Sequence, residues 1–427
     1  LLMPMLLLLG LQAQATPRTL PRAEAAEMGK MWVMYQGRIC PVQTLAKDFS
    51  TKLYGKPTYD GLTSEQVLSG WMFYYSDWRP TLEGVKKAEE KQALVAMLYG
   101  GELLKLFPVE GNWLSQSDKL PLELSDDEYL FIRNHIGLAQ EMALRGENSS
   151  FLWQKTRAYQ EQRAEVPSPA RERAERLYNR LWIGKPVSML AVTLGLLCFA
   201  LFLFGKRLRI FPIVWLGALT LLLSTLFATR WIAGGHLPLA GSYDTMLFLS
   251  LCACLIALAL RKKEMALPFG MLISGLTLLA AMMSGSNPPV AHLQPVLASP
   301  WLLLHVSVVL TSYVLFFFVA LLGIAGLRRD KERDYQRLSL ILLYPAVALL
   351  ACGIFLGAVW ANVSWGSYWS WDPKEVWALI TLMVYALPLH LHLRPRAYHL
   401  FCALAFLCIL FTYFGVNLLL GGMHAYN

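Results

Sequence analysis

The residues able to do chemistry in this sequence are few, and most of them gather in one stretch. Between Trp360 and Trp377 the chain reads Trp-Ala-Asn-Val-Ser-Trp-Gly-Ser-Tyr-Trp-Ser-Trp-Asp-Pro-Lys-Glu-Val-Trp, five tryptophans in eighteen residues. One or two indoles are enough to anchor a protein at the headgroup level of a bilayer, and any one of these rings has that reading. Five of them interleaved with Gly and Ser make a pliable apolar shelf suited to a large flat ligand, with Trp365, Trp369 and Trp371 at its centre. The segment Asp372-Pro373-Lys374-Glu375 also spells a helix start: Asp as cap, Pro at the first helical position, Glu closing a capping box. Asp372 thus has two readings, as a cap and as a shaper of the shelf, and the sequence does not choose between them.

The histidines sort by depth. Ser299-Pro300 starts an apolar run and places His305 about 7 Å below its outer end, at 1.5 Å per residue. His424 follows the last apolar run, in Gly-Gly-Met-His-Ala-Tyr. Both fall at the outer level of the tryptophans. Singly, each reads as a polar interface residue. Together they read as axial ligands to a haem, for whose iron imidazole nitrogen is a common donor. His390 lies about 25 Å from Pro373 along its own run, too far to share that haem. As an imidazole within a span it is a functional candidate by default. His392 and His399 offer it a local partner, or are simply solvated beside Arg394 and Arg396. His135 and His292 read as ordinary soluble-domain and loop residues, and His236 is assigned no role. Arg230 and Lys374 are the cations nearest the outer level. They are partners for the carboxylates of a bound ligand or markers of the membrane boundary.

The elements that must position these residues are membrane helices. The chain of 427 residues is 56% hydrophobic and 16% charged, too apolar for an ordinary soluble protein. Eight apolar runs, roughly 187–205, 211–231, 243–260, 266–283, 301–326, 337–360, 376–392 and 398–420, each approach the ~20 residues that span hydrocarbon. Alternate connections differ in charge: thirteen Lys or Arg fall on one side, but only Lys185, Arg230 and Lys374 on the other. The positive-inside rule puts the rich loops in the cytoplasm and the tryptophans outside. Up to Arg180 the charges balance, so the formal net charge of +9 belongs wholly to the apolar part, where it reports topology and not nucleic-acid binding.

Residues 13–180 read as a separate, mostly helical external domain, ending in a charged connector from Val166 to Arg180. Residues 1–12 read as a signal segment or as the tail of an upstream membrane helix. A start at Leu1 favours further sequence upstream. Residues 181–427 form the membrane domain. Six of the seven cysteines lie within the apolar runs, where they serve as small hydrophobes, and no Cys-x-x-Cys-His, phosphate-binding glycine loop or Ser/His/Asp arrangement is present. The fold class expected is therefore all-α: a polytopic bundle of about eight spans carrying an external domain.

The segment Trp365-Gly-Ser-Tyr-Trp-Ser-Trp-Asp-Pro-Lys-Glu375 resembles the WWD motif of the CcsA/CcmF haem-handling family. The likeness in length and order is greatest to CcsA, over about Val187 to Asn427. That resemblance implies a WWD shelf flanked by two external histidines ligating haem iron, in segments similar to Trp301-Leu-Leu-Leu-His305 and Tyr413 through Tyr426. It implies a transmembrane haem ligand at His390, in Tyr385-Ala-Leu-Pro-Leu-His390, whose mate comes from a CcsB part, fused or separate. Tyr35 through Thr44 weakly resembles the external portion of fused CcsB-CcsA proteins. The function expected is haem transport across a bacterial inner membrane. Haem b (iron protoporphyrin IX) is then attached covalently to the Cys-x-x-Cys-His of apocytochrome c, as a System II holocytochrome c synthase (haem lyase) would do. His305, His424, Trp365, Trp369, Trp371 and Asp372 carry the reaction. The same residues except Asp372, together with His390, Arg230 and Lys374, hold the haem. Two rivals are a b-type electron-transfer subunit, which wants paired histidines on facing helices, and a permease, which explains neither the tryptophan loop nor the terminal histidine.

Overall fold

The computed structural model describes residues 16–83, 87–181, 183–206, 208–283, 288–290, 292–293, 297–328 and 331–420. His424 lies outside the described residues. The chain forms two compact units that divide between Glu172 and Arg173.

The first unit is mainly helical, with α1 (Arg22–Met28), α2 (Val42–Tyr54), α3 (Ser64–Phe73), α4 (Tyr75–Trp78), α5 (Ala88–Tyr99), α6 (Asp126–Arg145) and α7 (Ser150–Arg163). Two short antiparallel hairpins interrupt them: β1 (Trp32–Tyr35) with β2 (Arg38–Pro41), and β3 (Phe107–Val109) with β4 (Asn112–Leu114). Trp32, Trp71, Trp78 and Trp153 are buried in its core. One amide ties the hairpins to α7: Gln160 Oε1 accepts from Trp32 N–H at 2.8 Å, and its Nε2 donates to the carbonyls of Trp32 and Leu106, each at 2.7 Å. A buried polar side chain of this kind is stabilising only because its donors and acceptor are all met. His135 is structural here, its Nε2 lying 2.9 Å from Leu152 O and 2.6 Å from Thr156 Oγ1. Helix α8 (Pro169–Arg180) follows.

The second unit is a helix bundle built from α9 (Lys185–Leu203), α10 (Ile210–Gly234), α11 (Ser242–Ala259), α12 (Ala266–Met283), α13 (Pro300–Arg328), α14 (Glu332–Trp365), α15 (Pro373–His390) and α16 (Pro395–Leu410). Among the described residues, seven helices are long and apolar enough to cross a membrane, and the chain is an all-α multi-pass membrane protein. The eighth run expected, 376–392, is α15. With Lys374, Glu375 and His390 among its eighteen residues, it falls short of the apolarity of the others. The last run departs from a single regular helix, because Phe411–Leu420 winds as a wider π-helix. Hydroxyls inside the helices are satisfied locally, as hydrocarbon demands: Thr193, Thr220, Thr225, Ser307 and Thr311 each donate to the carbonyl four residues back. Helices α9 and α12 approach closely because Gly195 meets the backbone of Met271 and Leu272. A Cβ at Gly195 would stand 2.7 Å from Met271 O.

Candidate functional site

Helix α14 stops at Trp365 because Gly366 takes the left-handed conformation at φ 77°, returning its N–H to Asn362 O at 2.9 Å. The loop that follows is shaped by one carboxylate. Glu375 Oε2 accepts from the N–H of Ser370 at 2.9 Å and of Asp372 at 3.2 Å, while Asp372 Oδ2 accepts from Lys374 N–H at 3.0 Å. The capping box read from the sequence is thus formed, and Asp372 is buried within it. The two N–H groups gripped by Glu375 flank Trp371, which is left at φ 60°. A left-handed tryptophan is a strained residue, costing about 1–2 kcal/mol. Its consequence is orientation: Trp371 is 74% exposed, and its ring stands edge-on to Trp369 at 6.1 Å.

The five indoles do not form a single sheet of rings. Trp360 is buried and meets Trp365 at 4.7 Å, closing the end of α14, and Trp377 packs on Phe411 at 4.2 Å. Trp369 and Trp371 are the pair presented by the loop itself.

His305 sits on α13 against α14. Its Nδ1 donates to Gly353 O at 2.7 Å. A carbonyl only accepts, so this bond fixes the tautomer whose lone pair is on Nε2, the nitrogen suited to a metal. The ring fits because Gly357 has no side chain: a Cβ there would lie 2.7 Å from Nδ1 and Cε1. Gly357 is eight residues before Trp365, so His305 lies about 12 Å inward of the end of α14. The tryptophan loop therefore stands roughly two turns outward of this imidazole, and not level with it.

His390 is exposed at the end of α15, and its Nδ1 donates to Ala386 O at 2.8 Å, which again leaves the lone pair on Nε2. His399 is different. Its ring is fully buried under Gly326, and its Nε2 lies 2.8 Å from Glu332 O, a helix-packing contact. His392 is exposed. His236 Nδ1 is 3.2 Å from Leu237 O, while its Nε2 is buried over Gly234 without a hydrogen bond.

Arg230 closes α10 and is 3% exposed. Its guanidinium grips Asp244 with two bonds, Nε to Oδ1 at 2.5 Å and Nη2 to Oδ2 at 3.1 Å. Nη1 donates to Tyr178 hydroxyl at 2.7 Å and Pro288 O at 2.8 Å, and the cation lies over the rings of Tyr178 and Tyr243. Asp244, in the first turn of α11, is further favoured by that helix's N-terminal dipole. These donors are committed within the protein. Lys374 is half-buried in the first turn of α15, beside Asp372.

Gly353 and Gly357 are position-setting residues absent from the sequence reading, and Glu375, read there as closing the capping box, also holds Ser370 N–H. Two glycines four apart on an apolar helix signal close helix approach, and Glu375 was visible as the third residue after its cap. Neither pattern names the side chain it serves.

The fold and this loop define a polytopic membrane protein with a tryptophan-rich loop at the end of α14 and an oriented histidine about two turns along the bundle from it. A family model described as Cytochrome C assembly protein matches residues 239–424. The chain is 35% identical to the cytochrome c biogenesis protein CcsA of Chlamydomonas reinhardtii, over 51% of this chain and 68% of that protein. It is 32% identical to CcsA of Guillardia theta, over 56% of this chain and 94% of that protein. Protein NrfI of Wolinella succinogenes is 30% identical over 91% of this chain, which spans only 53% of NrfI. The chain belongs to the CcsA family of cytochrome c biogenesis proteins.

Proposed function

We propose that this protein carries haem to the outer face of a bacterial inner membrane and attaches it to the Cys-x-x-Cys-His of apocytochrome c. Haem handling and a role in its attachment follow from the family; the steps and residues are our reading. The observation that carries it is His305, whose Nδ1 is held by Gly353 O, with the end of α14 and its tryptophan loop about 12 Å along the helix.

In this reading haem is a substrate. It is taken up at an inner site at His390, with a mate from a CcsB-type partner, because His399 is locked into helix packing. At the outer site His305 and His424 hold the iron on opposite faces. Trp369 and Trp371 cover the edge that points outward, with Trp365 as the floor against α14. Asp372 acts through the loop's shape, as cap of α15. Lys374 takes a propionate, since Arg230 is engaged by Asp244. The vinyl groups then face the incoming peptide. Each thiol adds across one vinyl double bond: sulfur bonds to one carbon, the thiol proton ends on the other, and no oxidant or reductant is consumed. The peptide's histidine displaces one chain imidazole, releasing the product. The protein contributes position, which makes bound reactants behave as if highly concentrated. The organic chemistry belongs to the haem.

The test is to purify the chain with its CcsB-type partner, add a Cys-x-x-Cys-His peptide and measure peptide mass under denaturing conditions. Haem attached through two thioethers supports the proposal. Haem that stays bound without covalent product, while exchanging electrons, supports the b-type electron-transfer reading instead.

A further inference from the structure

At the end of the bundle opposite the tryptophans, the α9–α10 and α11–α12 connections line a shallow, solvent-open depression. Five cations line it: Lys206 and Arg209 from one connection, and Arg261, Lys262 and Lys263 from the other. The one carboxylate in the lining, Glu264, is within 3.8 Å of Lys331 Nζ. The floor is apolar, formed by Phe202, Leu267 and Pro268. On the flank, Phe204, Ile210 and Phe211 are large apolar side chains that stay exposed. Helix α9 ends at Leu203 and α12 begins at Ala266, so the pocket sits at headgroup depth.

Topology alone asks for basic loops on this side, and scattered lysines would satisfy it. It does not ask two connections to converge their cations over an apolar floor beside exposed aromatic side chains. That pairing matches an amphiphile: a phosphate for the cations, and acyl chains for the apolar flank at the bilayer boundary.

We propose that this pocket binds the head group of an anionic glycerophospholipid from the leaflet in which it lies. The lipid bridges the α9–α10 and α11–α12 connections and neutralises cations that would otherwise repel one another. The site is separate from the haem-handling residues, so its test does not depend on that reading.

The full chain is placed in nanodiscs holding equal phosphatidylglycerol and phosphatidylcholine, extracted gently, and its retained lipids are counted by native mass spectrometry. Wild type is expected to retain phosphatidylglycerol with about tenfold preference. Lys206→Gln/Arg261→Gln/Lys263→Gln loses the preference. A control of equal charge change at the other basic loops, Arg333→Gln/Arg337→Gln/Arg394→Gln, keeps it. Lys206→Arg/Lys263→Arg also keeps it, which separates charge from packing. Should the triple pocket variant not accumulate, Lys206→Gln and Lys263→Gln singly are each expected to lower the preference about threefold. Equal loss in pocket and control triples would mean diffuse attraction and overturn the proposal, as would no loss in either. Displacement of the lipid by millimolar glycerol 3-phosphate would show that a free phosphate is recognised, and would overturn it as well.

Discussion

At the scale of single residues, the site depends on two local conflicts between backbone and side chain. Trp371 holds a left-handed backbone that a glycine would adopt freely, and Glu375 enforces it by accepting the N–H groups on either side. Trp371→Gly should therefore raise thermal stability by about 1 kcal/mol, through relief of strain, while lowering haem retention. A variant that loses stability and keeps haem would show that the ring is a structural prop. His305 presents the opposite case, a large ring accepted only because Gly357 is small. Gly357→Ala is expected to push the imidazole off Gly353 O and cut haem occupancy about tenfold, an estimate from the loss of an orienting partner. Absorption spectra of the purified variant test this directly. Unchanged occupancy would mean that the ring can be seated elsewhere. For Asp372, Asn can still cap α15, so Asp372→Asn should be milder than Trp369→Ala/Trp371→Ala when both accumulate as folded protein. A severe synthesis defect in the Asn variant, with normal haem in the double tryptophan variant, would reverse these roles.

At the scale of elements, what the sequence makes legible is whatever depends on nearby residues. The apolar runs locate the helices, and Asp372 through Glu375 announces the capping box that α15 displays. What it conceals depends on partners far along the chain. Arg230 reads equally well as a boundary marker or a propionate ligand until α11 brings up Asp244, fourteen residues on, and α8 brings up Tyr178. Gly353 and Gly357 announce close packing, yet only the pairing of α13 with α14 reveals that His305 is what they admit. His399, read as a possible ligand or a solvated ring, is buried because Gly326 of α13 leaves room for it, which no local pattern indicates. The buried ion pair gives a prediction at this scale. Arg230→Gln leaves the carboxylate of Asp244 without its cation and should destabilise the membrane unit by about 3–5 kcal/mol. Arg230→Gln/Asp244→Asn, which removes both charges, should recover much of that loss. A double variant no more stable than the single, measured by thermal inactivation in detergent, would contradict the pairing.

At the scale of the molecule, the two units carry different sensitivities. The first contains His135, whose protonation burial disfavours, so its pKa lies below the ordinary value of about 6.5. The unfolded chain then binds the proton more readily than the folded one. The stability this residue contributes is present above pH about 6.5 and is lost as pH falls through the lowered folded value. Hydrogen-exchange protection of the amides of α6 and α7, taken relative to the intrinsic exchange rate at each pH, should fall below that window, and a His135→Gln variant should lose this acid sensitivity. The membrane unit carries the residues we propose to handle haem, His305 as an iron ligand beneath the tryptophan loop first among them. That role is tested most directly by replacing His305 with Gly in the whole protein and recording haem absorption and resonance Raman spectra with and without added imidazole. The account predicts that the outer haem is lost or changes ligation in the variant and that imidazole restores the bis-histidine spectrum. Haem spectra identical to wild type without imidazole would place the iron on other residues and contradict it.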